Sequence, residues 1–109
     1  MTAITLTYPV VLAAARLAYE EGRLSAQGPK PACLYEDTTG RPCAVGAALQ
    51  PGAISKADQC ESVTTLRQRG IFQISREDFP KIKALQGAHD EWARGTGTGT
   101  EADFKELIA

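Results

Sequence analysis

The chain has 109 residues, 43% of them hydrophobic and 23% charged, with a formal net charge of -1. That length supports one hydrophobic core and a single domain, residues 1–109, and the composition is globular rather than disordered or fibrous. The near-zero charge argues against direct nucleic-acid binding and against an acidic nucleic-acid mimic, and no apolar run reaches the roughly 18 residues of a membrane span.

In chain order, the opening AITLTY alternates weakly, as a short strand or an ordered arm would. A helix is expected from about Pro9, with Thr7 as its cap, and Gly22 is its natural stop. Val10, Ala14, Leu17 and Ala18 would face inward, with Arg16 and Glu20 outside that face. The start lacks the basic leader of a secretory signal, and three cysteines, an odd number, point to reduced thiols, so the expected compartment is the cytoplasm. LSAQGPKP is turn chemistry.

Cys33 to Leu49 reads CLYEDTTGRPCAVGAAL. Leu34 and Tyr35 have strand character, DTTG is a loop, and Pro42 suits a strand start or edge. A short β-hairpin centred near Thr38 follows, with Cys33 opposite or nearly opposite Cys43. AVGAAL is too rich in alanine for a strand and predicts a short buried helix closed by Pro51 and Gly52. Ser62 is expected to cap a helix with Val63 and Leu66 inward and Gly70 at its end, and IFQI to be a brief extended piece. Asp78 should cap the strongest helix, with Pro80 in its first turn and Ile82, Leu85, His89 and Trp92 on one stripe. GTGTGT is a connector, after which Thr100 with Asp103 caps a last helix that docks Phe104, Leu107 and Ile108. The fold class is α+β, a small domain mainly helical with a short β-hairpin.

Chemistry-bearing side chains are few. A thiol against a helix N-terminus has a lowered pKa, so Cys43 with His89 and Asp90 forms a conceivable cysteine-enzyme set. Against it, cysteine is commonly a small buried filler, His89 lies on an inner stripe, and Asp90 points about 100° away from it. No catalytic set is therefore assigned. Short Cys-x-x-Cys knuckles are absent, which argues against zinc even if Cys33, Cys43, Cys60 and His89 were to converge. No cofactor is expected. Arg67, Arg69 and Arg76 make the basic cluster, suited either to a partner contact or to a solvated helix end.

The order Cys33-x-Tyr35, Gly40-x-x-Cys43-Ala44-Val45-Gly46-Ala47, Glu61-Ser62-Val63 with Leu66, and Leu85-Gln86-x-x-His89-Asp90 resembles a family of small phage- and prophage-encoded proteins. The resemblance implies a phage setting inside a bacterial host and supplies no reaction. Small phage proteins of this kind often act by stoichiometric binding, as inhibitors of CRISPR effectors do. The expectation is a counter-defence protein, anti-CRISPR-like, whose partner is a host protein or ribonucleoprotein complex. Its contact surface would join the loop containing Asp37, Thr38 and Arg41 to Arg67, Arg69 and Arg76. Two alternatives stand beside it. One is a signalling-nucleotide sponge with Tyr35, Arg41, His89 and Arg67 lining a pocket, and the other an enzyme using Cys43 and His89.

Overall fold

The computed structural model describes residues 3–24, 35, 42–50, 52–55, 61–94 and 101–109. The expected hairpin falls largely outside these residues, and with it Cys33, Asp37, Thr38 and Arg41; Cys60 and the GTGTGT connector also lie outside them. Within the described residues the domain is mainly helical α+β, and no helix there is long and apolar enough to cross a membrane.

Helix α1 spans Tyr8–Glu20, with Pro9 in its first turn, where the missing N–H costs nothing. Its C-terminus closes as the glycine predicts. Gly22 takes φ 69°, the Gly22 N–H donates to the Tyr19 carbonyl at 3.1 Å, and the Arg23 N–H donates to the Ala18 carbonyl at 2.8 Å. The inward face keeps the expected Ala18 but otherwise differs from the expected one. Val11, Ala15 and Ala18 are buried, whereas Val10 is 58% and Leu17 52% exposed. The helix is rotated by nearly one residue because Val10 to Ala15 are apolar on every side, leaving periodicity with little to select. Burying alanines 15 and 18 lets the α1 backbone lie close to the elements it packs on, a 3-10 turn at Gly46–Ala48 and two later helices.

Strands β1, Ile4–Leu6, and β2, Phe72–Ile74, pair in parallel with Ile4 opposite Phe72, Thr5 opposite Gln73 and Leu6 opposite Ile74. Both segments are read from sequence as extended, but their pairing joins segments too distant along the chain for any local signal. Leu6, Phe72 and Ile74 point into the core, and Thr5 and Gln73 face out. Between them α2, Val63–Gln68, begins where the Ser62 Oγ accepts the Thr65 N–H at 3.0 Å. It ends at Gly70, φ 79°, where the Ile71 N–H donates to the Leu66 carbonyl at 2.9 Å. Val63 and Leu66 are buried, as their spacing predicts.

The Gly46–Ala48 segment forms the short helix expected there, as a 3-10 turn with Gly46 buried. Helix α3, Phe79–Arg94, starts directly after Asp78 with Pro80 in its first turn, and buries Ile82, Leu85, Gln86 and His89. Helix α4, Glu101–Ile108, docks Phe104 and Ile108 one turn apart, which turns Leu107 outward to 41% exposure, contrary to expectation. The Trp92 and Phe104 rings stack with centroids 5.5 Å apart, and Tyr19 of α1 meets both rings. These aromatic contacts seal α1, α3 and α4 together.

Candidate functional site

Two regions bring chemistry-bearing side chains together. The first is internal and joins Tyr35, the Cys43 to Ala48 segment and one face of α3. The Val45 N–H donates to the Gln86 Oε1 at 2.8 Å, and the Gln86 Nε2 donates to the Asp90 Oδ1 at 2.8 Å. Gln86 thus satisfies a buried backbone donor of the 3-10 segment from one turn of α3. The Gly46 N–H donates to the Cys43 Sγ at 3.3 Å, and the Ala47 N–H to the Cys43 carbonyl at 2.9 Å. The Cys43 side chain therefore takes up the first backbone N–H of the 3-10 turn, whose N-cap residue is Val45.

Tyr35 completes this assembly. Its hydroxyl donates to the Glu61 carbonyl at 2.7 Å, its carbonyl accepts the Cys43 N–H at 3.3 Å, and its ring meets Phe72 edge-on at 5.7 Å. The carbonyl also lies against Gly46, where a Cβ would stand 1.9 Å from the Tyr35 oxygen. Only glycine fits there. His89, 1% exposed, sits against Trp92 and Phe104 with centroids 5.6 Å from each.

The sequence raised the prospect of a thiol made acidic by a helix N-terminus. The structure reverses that direction. Burial pushes the Cys43 thiol up to about 12, against the smaller opposing effect of the Gly46 N–H, and the charge of Asp90 adds to the rise. At neutral pH the group is a protonated thiol. Of the pocket expected from Tyr35, Arg41, His89 and Arg67, Arg41 lies outside the described residues, and Tyr35, 4% exposed, and His89, 1% exposed, are inside the core, whereas Arg67 is only partly buried. Among the described residues no group of three His, Cys, Asp or Glu side chains is placed to hold a metal ion.

The second region is external. Arg67, on the last turn of α2, donates from its Nε to the Ile74 carbonyl at 3.1 Å, and its guanidinium carbon lies 4.4 Å from the centroid of the Phe79 ring. These two contacts hold the guanidinium plane in place. Beside it lies a cleft of about 430 Å³ whose lining includes Ala3, Arg67, Gln68, Gly70, Gln73 and Ile74. Arg69 is exposed at the C-cap of α2, and Arg76 is exposed in the turn that leads into α3. Arg67, Arg69 and Arg76 thus belong to one stretch of α2, β2 and the α3 entry, and of these three Arg67 lines the cleft, while Arg41 lies outside the described residues. Gln68 and Gln73 were not anticipated. The signal for Gln73 is the polar residue between Phe72 and Ile74 in an alternating strand, and for Gln86 its position in the LQ-x-x-HD segment.

No protein-family model, curated protein or solved structure matches the chain. The reading of function accordingly starts from the two regions themselves.

Proposed function

We propose that the protein is a binding module that acts stoichiometrically on a macromolecular partner, with the α2–β2 face that carries Arg67 as its contact surface. The observation that carries this reading is the division of labour between the two regions. Cys43, Gln86, His89 and Tyr35 are engaged inside the fold, whereas Arg67 is positioned at the rim of an open cleft with polar side chains beside it. An arginine held over an aromatic ring is a favourable anchor for a partner. The resemblance to phage and prophage proteins supplies the setting, a host defence protein or ribonucleoprotein complex in the bacterial cytoplasm, with CRISPR effectors as the first targets to assay.

The test is a titration of the purified protein against candidate host effector complexes, with binding followed by co-elution on size exclusion. Full inhibition is expected at about one equivalent of protein per complex, with charge reversal at Arg67 and Arg69 speeding dissociation. Inhibition complete at a small fraction of an equivalent would show turnover and remove the binding reading.

A further inference from the structure

We infer that the Arg67 cleft is a receptor for a single carboxylate presented by an extended acidic peptide segment of the partner. The inference rests on the reading of this face as the contact surface, and its chemistry is argued from Arg67 alone outward. The Nε of Arg67 is committed to the Ile74 carbonyl and the ring of Phe79 lies beneath the guanidinium, so the side chain is already ordered before a ligand arrives. Its two Nη groups have no acceptor among the described residues. Together they present two parallel donors, the fork that a carboxylate accepts in bidentate fashion.

The surroundings favour a monoanion. Among the described residues Arg67 is the cation that lines the cleft, Lys83 stands 6.0 Å from the same Phe79 ring, and the other polar side chains of the lining are the neutral carboxamides of Gln68 and Gln73. A carboxamide both donates and accepts, which matches the N–H and C=O groups flanking a peptide side chain. Phe72 and Ile74 complete the lining from the same strand, with their side chains turned into the core. Pre-ordering of Arg67 also lowers the entropy lost on binding.

The test uses the full chain and a blocked peptide with one central glutamate flanked by valines, its glutamine counterpart, and inorganic phosphate. Heteronuclear NMR follows the backbone amides and the Arg67 Nε–H. The glutamate peptide should give saturable shifts at Arg67, Gln68, Gly70 and Gln73, with a dissociation constant of about 1 mM, and the glutamine peptide should bind about tenfold more weakly. Arg67→Lys, which keeps the charge and loses the planar fork, should weaken binding by about tenfold. Gln73→Glu, on the exposed side of β2, should give a similar loss by placing a carboxylate beside Arg67 while leaving the core untouched. Equal binding of the glutamine peptide, unchanged affinity in Arg67→Lys, tighter binding of phosphate than of the glutamate peptide, or shifts that never saturate in the cleft would each overturn the inference. Peptide binding that persists while every effector titration shows turnover overturns the functional reading and leaves the receptor standing. Stoichiometric effector binding with no response to the peptide does the reverse.

Discussion

The carboxylate of Asp78 accepts the backbone N–H of Tyr8 at 3.0 Å, across 70 residues of sequence. Thr7 occupies the N-cap of α1 in extended conformation but makes no side-chain capping bond, and Asp78 takes its place. Asp78 also serves its own helix, since its carbonyl accepts the Ile82 N–H at 2.9 Å and its N–H donates to the Ser75 Oγ at 3.1 Å. One residue therefore joins the starts of α1 and α3, and its negative charge sits where the α1 dipole favours it.

Asp78→Ala should destabilise the protein by about 1–2 kcal/mol, and Thr7→Ala by much less, because the capping oxygen belongs to Asp78. Asp78→Asn keeps an acceptor and should fall between the two. Denaturant midpoints of the three variants read the order directly. A larger effect from Thr7 than from Asp78 would contradict it.

Two glycines give opposite expectations for the same substitution. Gly46→Ala drives a methyl against the Tyr35 carbonyl and should cost more than about 4 kcal/mol, enough to prevent folding in a domain of this size. Gly87, exposed in the interior of α3 with nothing within 4 Å of a built Cβ, should gain about 0.5–1 kcal/mol as alanine. Thermal melts of the pair decide the matter, and a tolerated Gly46→Ala would refute the close approach.

Gln86→Leu removes the acceptor of the Val45 N–H and should cost about 1–3 kcal/mol despite its similar volume. Asp90→Ala, which releases only the outer end of that chain, should cost less. Hydrogen exchange at Val45 supplies a local readout, since its amide should lose protection in Gln86→Leu and keep most of it in Asp90→Ala.

Cys43 links stability to alkaline pH. Below pH 9 the thiol is protonated in both states and contributes no pH dependence. Above that, the unfolded chain releases the proton at the ordinary 9.0 while the folded protein holds it to about 12, so the unfolded state binds fewer protons. Stability should therefore fall as pH rises from 9 to 12, with a slope from this group of up to about 1.4 kcal/mol per unit. The difference between wild-type protein and Cys43→Ala isolates that contribution from the tyrosines and lysines. Alkylation of Cys43 near pH 8, mapped by mass spectrometry, should require unfolding; rapid labelling of the native protein would contradict the burial.

The two faces of α1 offer the last comparison. Val10→Thr and Leu17→Gln should change stability by no more than about 0.5 kcal/mol, whereas Val11→Ala, fully buried, should cost about 2 kcal/mol. The reverse order would restore the helix orientation that spacing alone suggests.

Local chemistry was legible in the sequence wherever one residue settles a backbone ending. Gly22 and Gly70 stop their helices because positive φ is open to glycine, Ser62 caps because its oxygen reaches a free N–H one turn on, and Pro80 restricts where α3 begins. The inward placement of Val63, Leu66, Ile82, Leu85 and His89 was legible too, since polar residues mark the opposite faces of those helices. Tertiary structure decided what depends on close approach between distant segments. The pairing of β1 with β2, the Gly46 contact with Tyr35, the reach of Gln86 to Val45 and of Asp78 to Tyr8 have no local signature. The rotation of α1 belongs with them, because a helix apolar on nearly every side takes its orientation from the shape it packs against. The same holds for Cys43. Its place before a helical turn suggests an acidic thiol, and the low-dielectric core around it outweighs the turn's N–H groups and keeps the proton on sulfur.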